Sequence, residues 1–139
     1  MSDTDAISQL ILDHFEGMRW DEKSNPDWER FRRDFHPSAI LCGAARPAEP
    51  KSVEAFVERM EAVAIKNLKS FEEHTATLEI MHFGNIAVAL ARSDMLENGS
   101  EENQDISAFL LVKSEGKWSI LGHAWDQVDE DSTMPTALR

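Results

Sequence analysis

The sequence offers few side chains of the types that perform acid, base or nucleophilic chemistry, and His123 is the strongest candidate. It stands between Leu121 and Trp125 at a spacing of two, which places all three on one face of an extended strand. A histidine there could act as an acid, a base or a hydrogen-bond partner near neutral pH. A lone histidine on an apolar face is, by roughly three to one, a hydrogen-bonded core residue. Both interpretations stay open.

The other candidates are weaker. His36 lies in a Phe-His-Pro sequence that ends a predicted helix, where capping or packing is more typical than catalysis. His74 and His82 are predicted to share one face of a strand. Cys42 follows apolar neighbours, so it is predicted to be a small buried residue with an unperturbed thiol rather than a nucleophile.

Composition argues against several classes of function. One cysteine permits no internal disulfide and no thiolate cluster, and the sequence has no His-Glu-x-x-His motif, so no metal site is predicted. The glycines are isolated, so neither a phosphate loop nor any other cofactor site is predicted. The net charge of −12 disfavours nucleic acids and anionic membrane surfaces as partners.

No apolar run approaches the roughly 18 residues of a membrane span, and residues 1–8 lack the basic and apolar parts of a signal peptide. A cytoplasmic protein is therefore predicted. The length of 139 residues suits a single domain, predicted over residues 1–128. Residues 129–139 are acidic and show no apolar period, and they are predicted to be a flexible tail.

Three helices are predicted in the first half of the chain, followed by an antiparallel meander. Apolar residues at spacings of three and four predict helices over residues 3–20 and 26–36, and Ser52 is a candidate N-cap for a third. A strand is predicted at residues 39–43. Four longer strands are predicted at residues 71–83, 86–96, 105–113 and 118–128, separated by glycine-containing turn dipeptides.

This order of elements, together with two short segments, resembles a known superfamily. The segments are FHPSAIL at residues 35–41 and GKWSI at residues 116–120. They resemble the nuclear-transport-factor-2-like superfamily, which includes SnoaL-like cyclases, ketosteroid isomerases and a lumazine-binding group. The resemblance covers residues 7–128. It implies an α+β fold of the cystatin-like kind, in which a curved, mixed, largely antiparallel sheet forms a cone-shaped half barrel around three N-terminal helices.

The resemblance also implies a pocket at the wide end of the cone. Placing the last strand as in ketosteroid isomerase turns Leu121, His123 and Trp125 inward, and alternation turns a row of alanines on the strand at residues 86–96 inward as well. Small side chains beside aromatic walls leave room for a ligand; equally, the alanines could pack closely against a helix. The predicted pocket residues are Phe15, Met18, Phe56, Met60, Ala91, Met95, His123 and Trp125.

The opposite face of the sheet is predicted to be apolar. Exposed apolar patches of this kind are usually covered, and a second copy of the sheet is the expected cover, which gives a two-fold homodimer. The residues predicted to face outward are Ile86, Val88, Leu90, Phe109, Leu111, Trp118 and Ile120.

The catalytic residues of ketosteroid isomerase do not carry over to this chain. The resemblance places Gly43, Phe15 and Ala108 where that enzyme has its base, tyrosine and aspartic acid, and the chain contains no tyrosine. The leading prediction is a homodimeric protein that binds a flat aromatic or polycyclic ligand. The alternatives are a SnoaL-like cyclase, dehydratase, isomerase or hydrolase with His123 as acid or base, and a protein-interaction module.

Overall fold

The computed structural model describes residues 1–45 and 47–139, and it confirms the predicted α+β fold with helices first and strands afterwards. A π-helical turn, Met60–Ala64, joins the third and fourth helices, and a short 3-10 turn, Thr136–Leu138, lies near the end of the chain. The elements are α1 (Asp3–Glu16), α2 (Trp28–Arg33), β1 (Phe35–Gly43), β2 (Lys51–Ser52), α3 (Val53–Arg59), α4 (Ile65–Asn67), β3 (Phe71–Phe83), β4 (Ile86–Glu97), β5 (Glu101–Ser114) and β6 (Lys117–Gln127).

Local sequence explains where the helices begin. Ser2 and Asp5 form a reciprocal capping box at the start of α1, and Ser52 caps α3 as predicted, accepting a hydrogen bond of 3.1 Å from the Ala55 amide. The predicted ends of the first two helices are wrong. Trp20 leaves α1 to form a bridge with Phe71, on which its ring also stacks. Both helices are shortened because their last apolar residues pack on the sheet rather than continuing a turn.

The six strands form one sheet in the order β2-β1-β6-β5-β4-β3. All neighbours are antiparallel except β1 and β6, which makes the sheet mixed as expected. Left-handed glycines at positions 84, 99 and 116 form the three hairpin turns, where φ lies between 56° and 79°. The predicted strand at residues 71–83 has the observed bounds, and the others agree to within a few residues.

Two β-bulges decide which side chains face the helices. On β6 the pairing passes from Gly122 opposite Leu110 directly to Ile120 opposite Leu111, so Leu121 is an extra residue. His123 and Trp125 face inward as predicted. Trp118 and Ile120, which precede the bulge, also face inward. The outward prediction is therefore wrong for Trp118 and Ile120, and on β5 it is wrong for Phe109 and Leu111; all are 5% exposed or less.

The second bulge lies on β3, where Thr75 pairs with Ser93 and Thr77 with Arg92, which leaves Ala76 as the extra residue. It changes the alternation between the two ends of the strand. His74 therefore lies on the outer face and His82 on the inner face, contrary to the prediction that they share one face.

The predicted alanine row on β4 does face inward. Ala87, Ala89 and Ala91 are 3% exposed or less and belong to the same buried cluster as Ile7 and Ile11 of α1. Close packing, the alternative considered for these residues, is what the structure has along most of this strand. The small side chains let α1 lie close to the sheet.

The end of the chain does not behave wholly as a free tail. Leu138 lies in the final 3-10 turn, has no exposed surface and belongs to a segment that contacts β3. The flexible tail over residues 129–139 stays a prediction, and within it the side chain of Leu138 packs against the domain. In the part of the chain described, no helix is long and apolar enough to cross a membrane.

Candidate functional site

A cavity of about 160 Å³ lies between the helices and the inner face of the sheet, toward the end where the alanine row gives way to polar residues. Seven of the eight residues predicted to form a pocket line it, and Ala91 does not, because it is fully buried in the packed core. The lining residues are His14, Phe15, Met18, Phe31, Leu41, Phe56, Met60, Phe71, Glu73, Met95, Asp105, Ser107, His123 and Trp125.

Half of the fourteen residues of the cavity wall carry an aromatic or imidazole ring. Phe31 and Phe56 stack with centroids 5.5 Å apart, and Trp125 meets Phe56 edge-on at 5.8 Å. Gly43 on β1 permits this position of Trp125, because a Cβ at Gly43 would lie only 3.3 Å from the indole ring. Met60 contributes from the π-helical turn, an irregularity that is frequent at functional sites.

His123 lines the cavity as a neutral, packed ring. Its Nε2 lies 2.9 Å from Ser107 Oγ, and its ring stacks on Phe109 with centroids 4.3 Å apart. Burial, and secondarily the nearby His14, hold the pKa of His123 well below its usual value. A side chain that resists protonation is a weak base, so these contacts favour a positioning or hydrogen-bonding role over the acid or base role predicted for it.

A second histidine, His14, forms a buried pair with a carboxylate. Its Nδ1 lies 2.8 Å from Asp34 Oδ2, and only 3% of the residue is exposed. A carboxylate accepts a hydrogen bond from Nδ1–H, and in the neutral ring this tautomer carries its lone pair on Nε2. His14 was not among the residues predicted from the sequence, although it falls seven residues after Ile7 and three after Ile11, on the buried stripe of α1.

Two carboxyl groups, Glu73 on β3 and Asp105 on β5, also line the cavity. Burial, with the charge of Asp105, raises the pKa of Glu73 to about 8. Burial, with the charges of Asp126 and Glu97, raises the pKa of Asp105 to about 6. The sequence did indicate this position, because Glu73 lies two residues after the buried Phe71 and therefore on the same face of the strand.

The remaining predicted positions lie away from the cavity. His36 accepts a local hydrogen bond from the Ser38 amide, and His74 forms an exposed pair with Glu16. Ala108, given by the resemblance as the position of an aspartic acid, lies exposed on the outer face, so its inward neighbour Ser107 occupies the inner wall. Among residues 1–45 and 47–139, no group of three or more histidine, cysteine or acidic side chains is arranged to hold a metal ion.

Sequence comparison gives the family. Residues 2–126 match the model of the family described as "Putative lumazine-binding". The chain belongs to this lumazine-binding family. No functionally curated protein matches the sequence.

Solved structures show that this lumazine-binding family member has the fold of the nuclear-transport-factor-2-like superfamily. A cystatin-like protein of unknown function from Nostoc punctiforme superposes with a TM-score of 0.73 at 14% identity, covering 92% of each chain. An NTF2-like protein of unknown function from Shewanella baltica gives 0.64 at 19% identity, covering 92% of this chain and 95% of the other. Hexachlorocyclohexane dehydrochlorinase LinA-type3 from Novosphingobium barchaimii gives 0.73 at 13%, covering 95% and 94%. At these identities the similarity shows the fold alone.

Proposed function

We propose that this protein binds a small flat ring compound in the cavity and acts as a homodimer. The observation that carries the proposal is a partly open cavity whose wall combines aromatic and apolar side chains with a few polar groups, which is the usual composition of a small-molecule site. The lumazine-binding family and its fold support a small-molecule-binding role.

The volume of the cavity limits the size of the ligand. A cavity of about 160 Å³ is close to the roughly 150 Å³ of an engineered protein cavity that binds benzene. One ring therefore fits the structure as it stands. A polycyclic ligand, as the sequence suggested, requires movement of the wall around Met60, whose π-helical turn has no buried residue to anchor it.

Ligand binding is expected to change the fluorescence of Trp125. Titration with benzamide, a one-ring compound, should quench or shift the tryptophan emission at up to millimolar concentration, and the three-ring fluorenone should act more weakly. The change should disappear in Trp125→Phe and persist in Trp28→Phe, whose indole does not line the cavity. If one-ring compounds leave the emission of Trp125 unchanged, the cavity is not a binding site.

The proposed dimer forms through the outer face of the sheet. The residues that face outward differ from the prediction, and the bulge at Leu121 accounts for Trp118 and Ile120. We define the outer apolar face by the seven exposed residues that alternation places there: Ile40, Met81, Phe83, Ile86, Val88, Leu90 and Leu110, each 44–82% exposed. Burying such a side chain stabilises an interface by about 1.5–3 kcal/mol, so this face favours a second copy. A different protein partner is the competing occupant.

A second candidate function is enzymatic proton transfer, and it rests on the pair of His14 and Asp34. The carboxylate orients the imidazole, and the free Nε2 belongs to a ring that lines the cavity, which is the arrangement of a general base. The dehydrochlorinase among the structural neighbours is named for an elimination, a reaction class in which a base removes a proton.

This candidate predicts base-catalysed exchange of carbon-bound protons. With cyclohexenone in D2O, wild-type protein should accelerate deuterium incorporation next to the carbonyl, followed by NMR. His14→Asn should lower the protein-dependent rate roughly a hundredfold or more, and Asp34→Asn should lower it less. His74→Asn, which breaks a similar but exposed histidine–glutamate pair, is the matched control. Exchange no faster than in buffer excludes this role for His14 with such ketones.

A further inference from the structure

Glu73 and Asp105 are carboxyl groups for which the described part of the chain supplies no positive partner. They lie on β3 and β5 on either side of β4, close enough for the charge of Asp105 to affect Glu73. Among the residues that the structure describes, neither forms an ion pair with a lysine, an arginine or a histidine. Buried carboxylates are normally paired, because isolated negative charge in a low-dielectric interior is unfavourable.

Buried polar atoms near these carboxyls also lack partners among the residues that the structure describes. Ser93 has no exposed surface and pairs in register with Asp105 on one side and with Thr75 on the other. Its Oγ faces the Glu73 carboxyl closely enough to lower the pKa of that group, so Glu73 is its nearest partner. Within residues 1–45 and 47–139, Thr75 Oγ1 and His123 Nδ1, the latter on a residue of the cavity wall, have no hydrogen-bond partner. Buried polar groups left unsatisfied indicate a polar partner that is not part of the protein.

The approach to this end of the cavity is acidic. A depression of about 370 Å³ adjoins the cavity and shares Met95, Asp105 and Trp125 with it. Its lining includes three further carboxyl side chains, those of Glu97, Asp126 and Asp129, and no lysine or arginine from the described part of the chain. A cleft lined by one sign of charge concentrates ligands of the opposite sign, here cations.

We propose that the ligand carries a positive charge, as an amidinium or ammonium group on a flat ring, and that Glu73 and Asp105 hold this group while the aromatic walls hold the ring. The inference rests on the proposed binding function and adds the chemical class of the ligand. A planar cation with two N–H donors can pair in parallel with a carboxylate, and the faces of Trp125 and Phe71 attract positive charge. Anionic ligands of the same shape are repelled.

Three compounds of nearly equal shape test this directly: benzamidine, which is cationic, benzamide, which is neutral, and benzoate, which is anionic. Calorimetric titration of wild-type protein at pH 8.5 should give at least about tenfold tighter binding for benzamidine than for benzamide, and none for benzoate. Glu73→Gln should reduce this preference to threefold or less. Glu79→Gln, the same change on the exposed face of the same strand, should leave it intact.

The pH dependence supplies a second readout. Because the cation needs ionised carboxylates, benzamidine should bind more tightly as pH rises from 6 to 8 and then level off, and benzamide should not. The other described titratable groups around Glu73 are Asp105, His14 and His123, and Asp105 is in turn approached by Glu97 and Asp126. Protonation of either histidine would also weaken benzamidine binding at low pH. The contribution of Glu73 to the pH dependence is therefore the portion that disappears in Glu73→Gln.

Each outcome has a distinct meaning. If benzamide binds as tightly as benzamidine, the cation inference is wrong and the proposed binding function stands. If none of the three compounds binds at millimolar concentration, both are wrong. An equal loss of preference in Glu79→Gln shows that the net charge of −12, rather than the two cavity carboxyls, selects the cation.

Discussion

Replacing Glu73 by glutamine is expected to make the protein more stable at pH 8.5 and to flatten its pH–stability profile. In the folded protein the pKa of Glu73 is raised from 4.5 to about 8, chiefly by burial. Between these values the folded state holds a proton that the unfolded state has released. The free energy of unfolding therefore decreases as pH rises from about 4.5 to 8 and levels off above that.

The partial exposure of Glu73 sets the expected size of the stability change, and an exposed glutamate on the same strand provides the control. Because Glu73 is partly exposed, we expect Glu73→Gln to gain about 1–3 kcal/mol over wild type at pH 8.5, and little at pH 4.5. Asp105, whose pKa is raised to about 6, adds a decline of the same sign at lower pH in both proteins. Urea unfolding at pH 4.5, 6.5 and 8.5, at one protein concentration, measures this. Glu79→Gln should follow wild type, and parallel profiles for Glu73→Gln and wild type would refute the assignment.

Leu90→Glu is expected to convert the proposed dimer into a monomer. Leu90 lies in the outer apolar face and is 44% exposed in the single chain. A two-fold interface places the new carboxylate of each copy against apolar side chains of the other, where it has no partner. We expect the dimer dissociation constant to rise at least about a hundredfold, measured by light scattering after size exclusion.

Leu12→Glu is the matched control for this substitution. Leu12 is 37% exposed on α1, away from the sheet face, so the same change of side chain there should leave the dimer intact. Circular dichroism should show both variants folded, because neither leucine is in the buried core. A wild-type chain that is monomeric at micromolar concentration would refute the homodimer and leave the outer apolar face to a different partner.

Local patterns in the sequence, together with the family resemblance, predicted the fold and half of the fourteen residues of the cavity wall. Apolar spacing and Ser52 placed the helix starts, and turn dipeptides with alternation placed the four long strands. Seven of the predicted residues line the cavity, because the apolar period of the sequence fixes which side chains share a helix stripe or a strand face. The family resemblance supplied the way in which these elements pack.

Tertiary structure alone decided which face several strand residues occupy and which polar groups meet. The bulges at Ala76 and Leu121 arise where each strand pairs with its hairpin partner, so the period of one strand alone does not reveal them, and each reverses the alternation on one side of it. Glu73, Asp105 and His14 are far apart in sequence and become one site only when β3, β5 and α1 pack together. The sequence determined the elements, and long-range packing determined the chemistry between them, because a buried carboxyl acquires its properties from neighbours that the local chain does not contain.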